Sequence, residues 1–488
     1  MSQKLIVFFL SILIIGDLSY SFLQYVSAPL DGDMAGGIVP AKEVEEIFED
    51  PFGIFAISDN KSHANPNRYF AHLFFKEYYQ SVPLVLQNVT SPINSVYYSN
   101  AIIKIFIHFF LIFIISAMVS GSIKFFSQPF LVSALVITPL FQAEGFYRYM
   151  GVIDMSVTYT FFYALPILLL LLFYYPFYNF FLQKRGTFNL YKKIILFPFV
   201  IIIPFSGPLT PPVVLIVSII TLYVFTKKCY TQNGYHQLLL NTVKSIPNEV
   251  LLFFIPISLL SLYSLFLGSY NSTYQTDILP VFDRYLRLPS GIYYQLTQKL
   301  GFPILLTMIA LNIILLRRTK SNQKVKEMLS KFRWIGLFIM IYILLLPLGG
   351  YRPYRPNILR FDTILPVTIC LFYIYVASSF FLINSLKNKK IYLLFIATVL
   401  LIFTNADRSN FRGNECEKIA LRKISNSENN VVEIASNCKL LSWDLIENPE
   451  KSRLNGELLY LWNITDKKVI FYNKLNKQEA RPSSSREE

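Results

Sequence analysis

The chain has 488 residues, of which 53% are hydrophobic and only 15% charged, with a mean hydropathy of +0.44. That balance excludes a partition into about three soluble domains and makes an integral membrane protein the expectation. Forty-five Lys and Arg against 30 Asp and Glu leave +15, an excess that in a membrane chain gathers on cytoplasmic loops, so nucleic acid is not an expected partner; four Cys with no CxxC exclude a disulfide scaffold and a Cys-rich metal centre.

A membrane helix needs about 20 mainly apolar residues. Such windows fall at roughly 4–24, 101–120, 125–142, 156–182, 193–207, 211–226, 249–268, 301–316, 334–348, 363–384 and 391–405. The expected fold is therefore an all-α polytopic bundle of about eleven transmembrane helices. If the two short segments flanking Pro204 to Pro212 form a hairpin that does not cross, the count is nine and every later loop keeps its side. Lys124, Lys184, Arg185, Lys227, Lys228, Arg317, Arg318, Lys389 and Lys390 belong to one set of loops. The other set holds Arg148, Arg284, Arg287, Lys299, Arg352, Arg355 and Arg360, a smaller number. The positive-inside rule then puts the N-terminus inside and the C-terminus outside. The first segment is read as an uncleaved anchor, because its one tidy cleavage site, Val26-Ser27-Ala28, is followed by Pro29.

Residues 1–405 thus form a transmembrane domain whose first outer loop spans 25–100, and residues 406–488 form an outer tail of small α+β character ending in a disordered RPSSSREE. Helical spacing of apolar residues in AKEVEEIF and NRYFAHLFFKEYYQSVPLVLQ predicts amphipathic helices, lying either on lipid or against the bundle. Cys416 and Cys438, on the outer side, either pair or remain two thiols.

The first outer loop opens with PLDGDMAGGIVP. Gly32, Gly36 and Gly37 let the backbone turn tightly and bring Asp31 and Asp33 together. Two close carboxylates either share a divalent cation or raise one another's pKa so that one serves as a general base. Glu144, Arg148 and Asp154 follow in the second outer loop. They either face the same cavity or reduce to a Glu144–Arg148 surface pair. Asp277, Asp283, Arg284 and Arg287 stand among tyrosines in the loop at 269–300. Arg352, Arg355 and Arg360 crowd GGYRPYRPNILRFDT, where Pro353 and Pro356 stiffen the backbone. Planar guanidinium groups there suit bidentate phosphate recognition, with an Arg360–Asp362 pair and headgroup contact as the plain alternative. Within the membrane, Asp17 and Lys104 offer a buried pair, and His108 reads as a hydrogen-bonded bundle histidine.

This layout resembles the GT-C superfamily of membrane glycosyltransferases, on the spans, the large first outer loop, the DGD at Asp31 to Asp33 and the outward tail. The resemblance implies transfer of a sugar from a polyprenyl-phosphate carrier to a glycan, lipid or protein acceptor on the outer face. The WWDYG-like signature of the oligosaccharyltransferase branch is missing, which argues against an asparagine-glycosylating enzyme. The resemblance implies Asp33 or Asp31 as catalytic carboxylate, with Glu144 or Asp154 as a second acidic group. The loop carrying Asp283, Arg284 and Arg287 would meet the donor, and Arg352, Arg355 and Arg360 its phosphate. Inversion at the anomeric carbon would follow, with Asp33 as base and arginines stabilising the departing phosphate. No cofactor is required, and Mg or Mn at Asp31 and Asp33 is the open alternative. A bacterial inner membrane is the expected setting. The competing readings are a transporter or flippase of a lipid-linked or anionic substrate, a lipid-linked oligosaccharide polymerase or ligase, and a scaffold without catalysis.

Overall fold

A computed structural model of the chain describes residues 3–142, 144–183, 188–233, 238–272, 279–318, 323–350, 355, 357–387, 389–408 and 410–474. Among them, nine helices are long and apolar enough to cross a membrane: Gln3–Val26, Pro92–Ser120, Val157–Leu182, Thr210–Tyr230, Asn248–Tyr270, Gly301–Arg318, Gln323–Gly349, Leu365–Ser385 and Lys389–Ala406. The chain is a multi-pass integral membrane protein. Large apolar side chains such as Phe8, Phe9 and Ile12 on the first helix face outward, as lipid contact requires.

Two of the eleven expected windows are shorter helices. Gln128–Ile137 has 10 residues and gives way to a tight turn through Pro139, and Leu190–Ile202 has 13 and contains Pro198. Ten residues rise only about 15 Å, half of the hydrocarbon thickness. Of the pair flanking Pro204 to Pro212, only the first is short. The second runs as a 24-residue helix, Thr210–Asn233, after a turn through Gly207, whose φ of 128° is left-handed.

The helix Pro92–Ser120 connects the bundle to what lies above it. Ser91 caps it by accepting the Asn94 N–H, Pro92 occupies its first turn, and Gly121 ends it at φ 67°. Its 29 residues span roughly 43 Å, so its first turns project beyond the hydrocarbon. Those turns carry Val96 and Tyr97 into a second hydrophobic core, apart from the large one inside the bundle.

The second core is built from the two ends of the chain. The first loop supplies Leu30, Met34, Phe75 and Tyr79, and the tail supplies Leu421, Val432, Leu459, Trp462 and Phe471. The expected amphipathic helices coincide with Lys42–Glu49 and Tyr69–Leu86. Tyr69–Leu86 buries its apolar face against protein, where the Trp462 indole N–H donates to the Tyr79 carbonyl at 3.0 Å. The tail has the α+β character expected: helices Glu415–Ser425 and Arg453–Leu461 flank two parallel strands, β1 (Val431–Ile434) and β2 (Ile470–Asn473), paired from Val431 with Ile470 to Ile434 with Asn473. Cys416 and Cys438 form a disulfide. The RPSSSREE end lies outside the described residues.

Glu417 stitches the two halves together. It is buried, and its Oε2 accepts the Leu30 N–H and the Tyr97 hydroxyl, each at 2.9 Å. Removal from water pushes its pKa up to about 8 from 4.5, against the pull of those two donors. Folded Glu417 therefore keeps its proton across a range in which the unfolded chain has lost it. By linkage, stability falls as pH rises from about 4.5 to 8 and is level above. Glu417→Gln should remove that slope, so its gain in unfolding midpoint over wild type should be larger at pH 8 than at pH 5. Equal midpoint differences at the two pH values would show that Glu417 is ionised in the folded protein.

Candidate functional site

The five segments expected on one side of the membrane meet at one end of the bundle, around a cavity of about 520 Å³. Its walls come from Leu30 and Asp31 of the first loop, Tyr149 to Tyr159 of the second, Tyr294 and Gln295 of a later helix, Arg355 to Asp362, and Trp443 of the tail.

Asp31 and Asp33 do not share a site. Asp31 is buried and accepts from the Ser156 hydroxyl (2.7 Å), the Thr158 N–H (2.9 Å), the Thr158 hydroxyl (2.7 Å) and the Asp33 N–H (3.1 Å). Each of its oxygens thus already receives two donors, which fixes the first loop onto the start of the helix at Val157. Asp33 points the other way. It is exposed, outside the cavity lining, and its Oδ1 accepts the Trp443 indole N–H at 2.9 Å. Gly32 lies so close under Trp443 that an added Cβ would come within 2.6 Å of the indole ring. Asp33 remains near enough to Arg355 to favour its charge.

The pair also fits a divalent cation poorly. Asp31 offers no oxygen without donors, and Asp33 faces away from it. Among the described residues, no group of three His, Cys, Asp or Glu side chains is placed to hold a metal ion.

Asp154 lines the cavity as well. Its Oδ1 accepts the Ser156 N–H at 2.7 Å. Burial raises its pKa from 3.8 to about 6, the Ser156 N–H and Lys104 opposing the rise and the nearby carboxylates of Asp362 and Asp31 adding to it. Lys104 explains part of this setting. It is fully buried, donates to the Met155 carbonyl, and has Asp154, Asp31 and Glu144 as its charged neighbours. The expected Asp17–Lys104 pair is thereby corrected: Lys104 turns toward the cavity, and Asp17 has Asp407 as its charged neighbour. His108 does sit within the bundle, its Nδ1 3.2 Å from the Tyr25 hydroxyl and its ring stacked on Phe141.

The arginines converge from the opposite wall. Arg360 grips Asp362 with two bonds, Nε to Oδ1 at 2.8 Å and a terminal nitrogen to Oδ2 at 3.1 Å, while Arg355 reaches the same carboxylate at 3.0 Å. The plain Arg360–Asp362 pair is thus present, and one carboxylate is left facing two guanidinium groups. Arg355 also donates to the Tyr159 hydroxyl. Burial lowers the Arg355 pKa, with Asp362 acting against it, yet a guanidinium stays charged at any working pH. Arg352 and Asp277 lie outside the described residues, as does the Arg148 side chain.

Arg355 and Arg360 also line a second, smaller cavity of about 130 Å³, whose other walls are mostly apolar and include Leu209, Leu345, Leu346 and Ile358. A third guanidinium enters it. Arg68, ahead of the helix Tyr69–Leu86, lies over the Phe162 ring at 5.6 Å, and no carboxylate pairs with it among the described residues. His72, one turn on, is buried with neither ring nitrogen bonded. Burial first, and the Arg68 charge second, take its pKa down to about 3, so it adds no charge.

Neither a protein family, nor a characterised protein, nor a solved structure matches this chain. The site must therefore be read from its own groups. Of the residues expected there, Asp31, Asp154, Arg355 and Arg360 line the larger cavity, and Asp33 lies outside its lining, bonded to Trp443 of its wall. Glu144 lines neither cavity; its main-chain N–H donates to Asp407 at 2.8 Å. Asp283 and Arg287 also line neither, and Arg284 is buried with its guanidinium donating to the carbonyls of Leu279 and Pro347. That arginine tethers its loop to the end of a span. Arg68, Tyr159, Gln295 and Trp443 are the members that sequence reasoning missed. Only Arg68 carried a signal, as a cation at the head of an amphipathic run in the first loop.

Proposed function

We infer that the protein is a membrane glycosyltransferase of GT-C type, moving a sugar from a polyprenyl-phosphate carrier to an acceptor hydroxyl. The observation that carries this reading is the joining of two cavities by Arg355 and Arg360: one with the carboxyl of Asp154 in its wall, the other with Leu209, Leu345, Leu346 and Ile358 beside Arg68, which no described carboxylate pairs. An isoprenoid phosphate matches the second in both respects, since its chain is apolar and its head takes guanidinium donors.

In this reaction the acceptor O–H gives its proton to Asp154 while its oxygen forms a bond to the anomeric carbon. The bond from that carbon to the phosphate oxygen breaks, and the electron pair leaves with the phosphate. Arg355, Arg360 and Arg68 meet the charge that grows there. Attack opposite to the leaving group inverts the anomeric configuration. A carboxyl with a pKa of about 6 is matched to such a base, because it is largely ionised at neutral pH and still basic enough to accept a proton. The role first expected of Asp33 passes to Asp154, because Asp33 lies outside the cavity. Asp31 holds the loop in place. The cation-rich loops face the cytoplasm in this reading, so the site opens to the periplasmic side of a bacterial inner membrane, with the C-terminal tail there too.

The test is transfer from a panel of polyprenyl-phosphate sugars by protein in lipid nanodiscs. One donor should be consumed, releasing bare carrier phosphate, and Arg68→Ala should weaken carrier binding roughly 10-fold or more, as loss of a charge-assisted contact does. If no donor is consumed and the protein instead carries the lipid between leaflets of a vesicle, the protein is a transporter, and the roles of Asp154 as base and of the arginines as leaving-group partners are wrong.

A further inference from the structure

The helix Leu288–Thr297 is pressed against the arginine-bearing segment, since a Cβ on Gly291 would come within 2.9 Å of the Leu359 carbonyl oxygen. It therefore presents Gln295 to the larger cavity at a fixed place. Gln295 is 3% exposed, and its Oε1 is sealed from water with no donor in reach. Nearly all buried side-chain amide oxygens in proteins find a donor, and one left without weakens the folded state.

The surroundings of Gln295 indicate what could complete it. Tyr149 and Tyr294 line the same wall with ring centroids 5.7 Å apart, and the charged groups Asp154, Arg355 and Arg360 occupy the rest of the cavity. A carboxamide beside two tyrosines suits a ring with hydroxyl groups, because an amide can both donate to a hydroxyl and accept from it. We propose that Gln295 is a specificity-determining residue that binds a hydroxyl of the transferred group, a hydroxyl-bearing sugar ring stacked along the two tyrosines. This rests on the glycosyltransferase reading and adds the class of sugar.

The experiment compares binding of two probes, bare polyprenyl phosphate and the polyprenyl-phosphate sugar consumed by wild type, in wild type, Gln295→Met and Gln295→Glu. Gln295→Met, close in shape, should weaken the sugar-bearing carrier roughly 10- to 100-fold, leave the bare carrier unchanged, and keep or raise the unfolding midpoint because a buried oxygen without a donor is removed. Gln295→Glu preserves the shape and the acceptor, and should bind the sugar-bearing carrier more tightly than Gln295→Met. Deoxy analogues should bind wild type no better than Gln295→Met binds the parent, for the one hydroxyl that Gln295 meets. Equal weakening of both probes, or a lowered midpoint in both variants, would make Gln295 a packing residue and overturn the proposal. So would unchanged binding of both. In either case wild type still consumes the donor. If wild type consumes no donor and holds bare and sugar-bearing carriers equally, the glycosyltransferase reading itself has failed.

Discussion

Asp154→Asn should cut sugar transfer by about 10²- to 10⁴-fold, the range for removal of a general base, with no matching loss of carrier binding. The substitution is nearly isosteric. An Asn carbonyl oxygen can still accept the Ser156 N–H, now met at 2.7 Å, and Lys104 keeps the Met155 carbonyl and the Asp31 charge. On the proposed mechanism, what disappears is the site for the acceptor's proton. The pH profile separates this from a packing defect. In wild type, kcat/KM should rise with pH through about 6 as Asp154 loses its proton, and the variant should lack that rise. Transfer by Asp154→Asn at the wild-type rate, with the acid limb intact, would pass the base role to another carboxylate, and Asp33 would be next to test.

For Asp31 the expectation is the reverse, a large loss of stability. Asp31→Ala removes the common acceptor of four donors, two of them hydroxyls and two main-chain N–H groups. Breaking a buried charged cluster on one side costs about 3–5 kcal/mol, because the remaining groups stay out of water unpaired. Asp31→Asn keeps one oxygen as acceptor and should lose less. Activity should fall in step with the folded fraction in both variants. A fully folded Asp31→Ala protein with no turnover would contradict the anchoring role and make Asp31 a member of the chemistry.

The apolar windows made the bundle legible, because a long hydrophobic run has few alternatives to a membrane helix. Hydropathy could not set helix length at 125–142, where Pro139 converts the end of the window into a tight turn. At the site, the outer-loop arginines were legible because they oppose the charge trend of the loops. The two carboxylates of DGD were visible too, but their division of labour was not. A turn through Gly32 sends neighbours in sequence to opposite sides, and which side is inward depends on Ser156, Thr158 and Trp443, more than a hundred residues away. Gln295 and Trp443 are single residues in unremarkable runs, without periodicity or motif to mark them.

The joint core of first loop and tail has a consequence for how the protein is made. The Leu30 N–H meets Glu417 across 387 residues of sequence, and Asp33 meets Trp443 across 410. At synthesis rates of about 5–20 residues per second, the first loop waits roughly 20 to 80 s for its partner while every intervening span is inserted. During that interval the faces bearing Phe75, Tyr79, Val96 and Tyr97 lack their partner surface. A chaperone that shields the nascent loop should therefore govern yield, and a ribosome stalled before residue 414 should leave an inserted bundle that is cleared by proteolysis of its first loop.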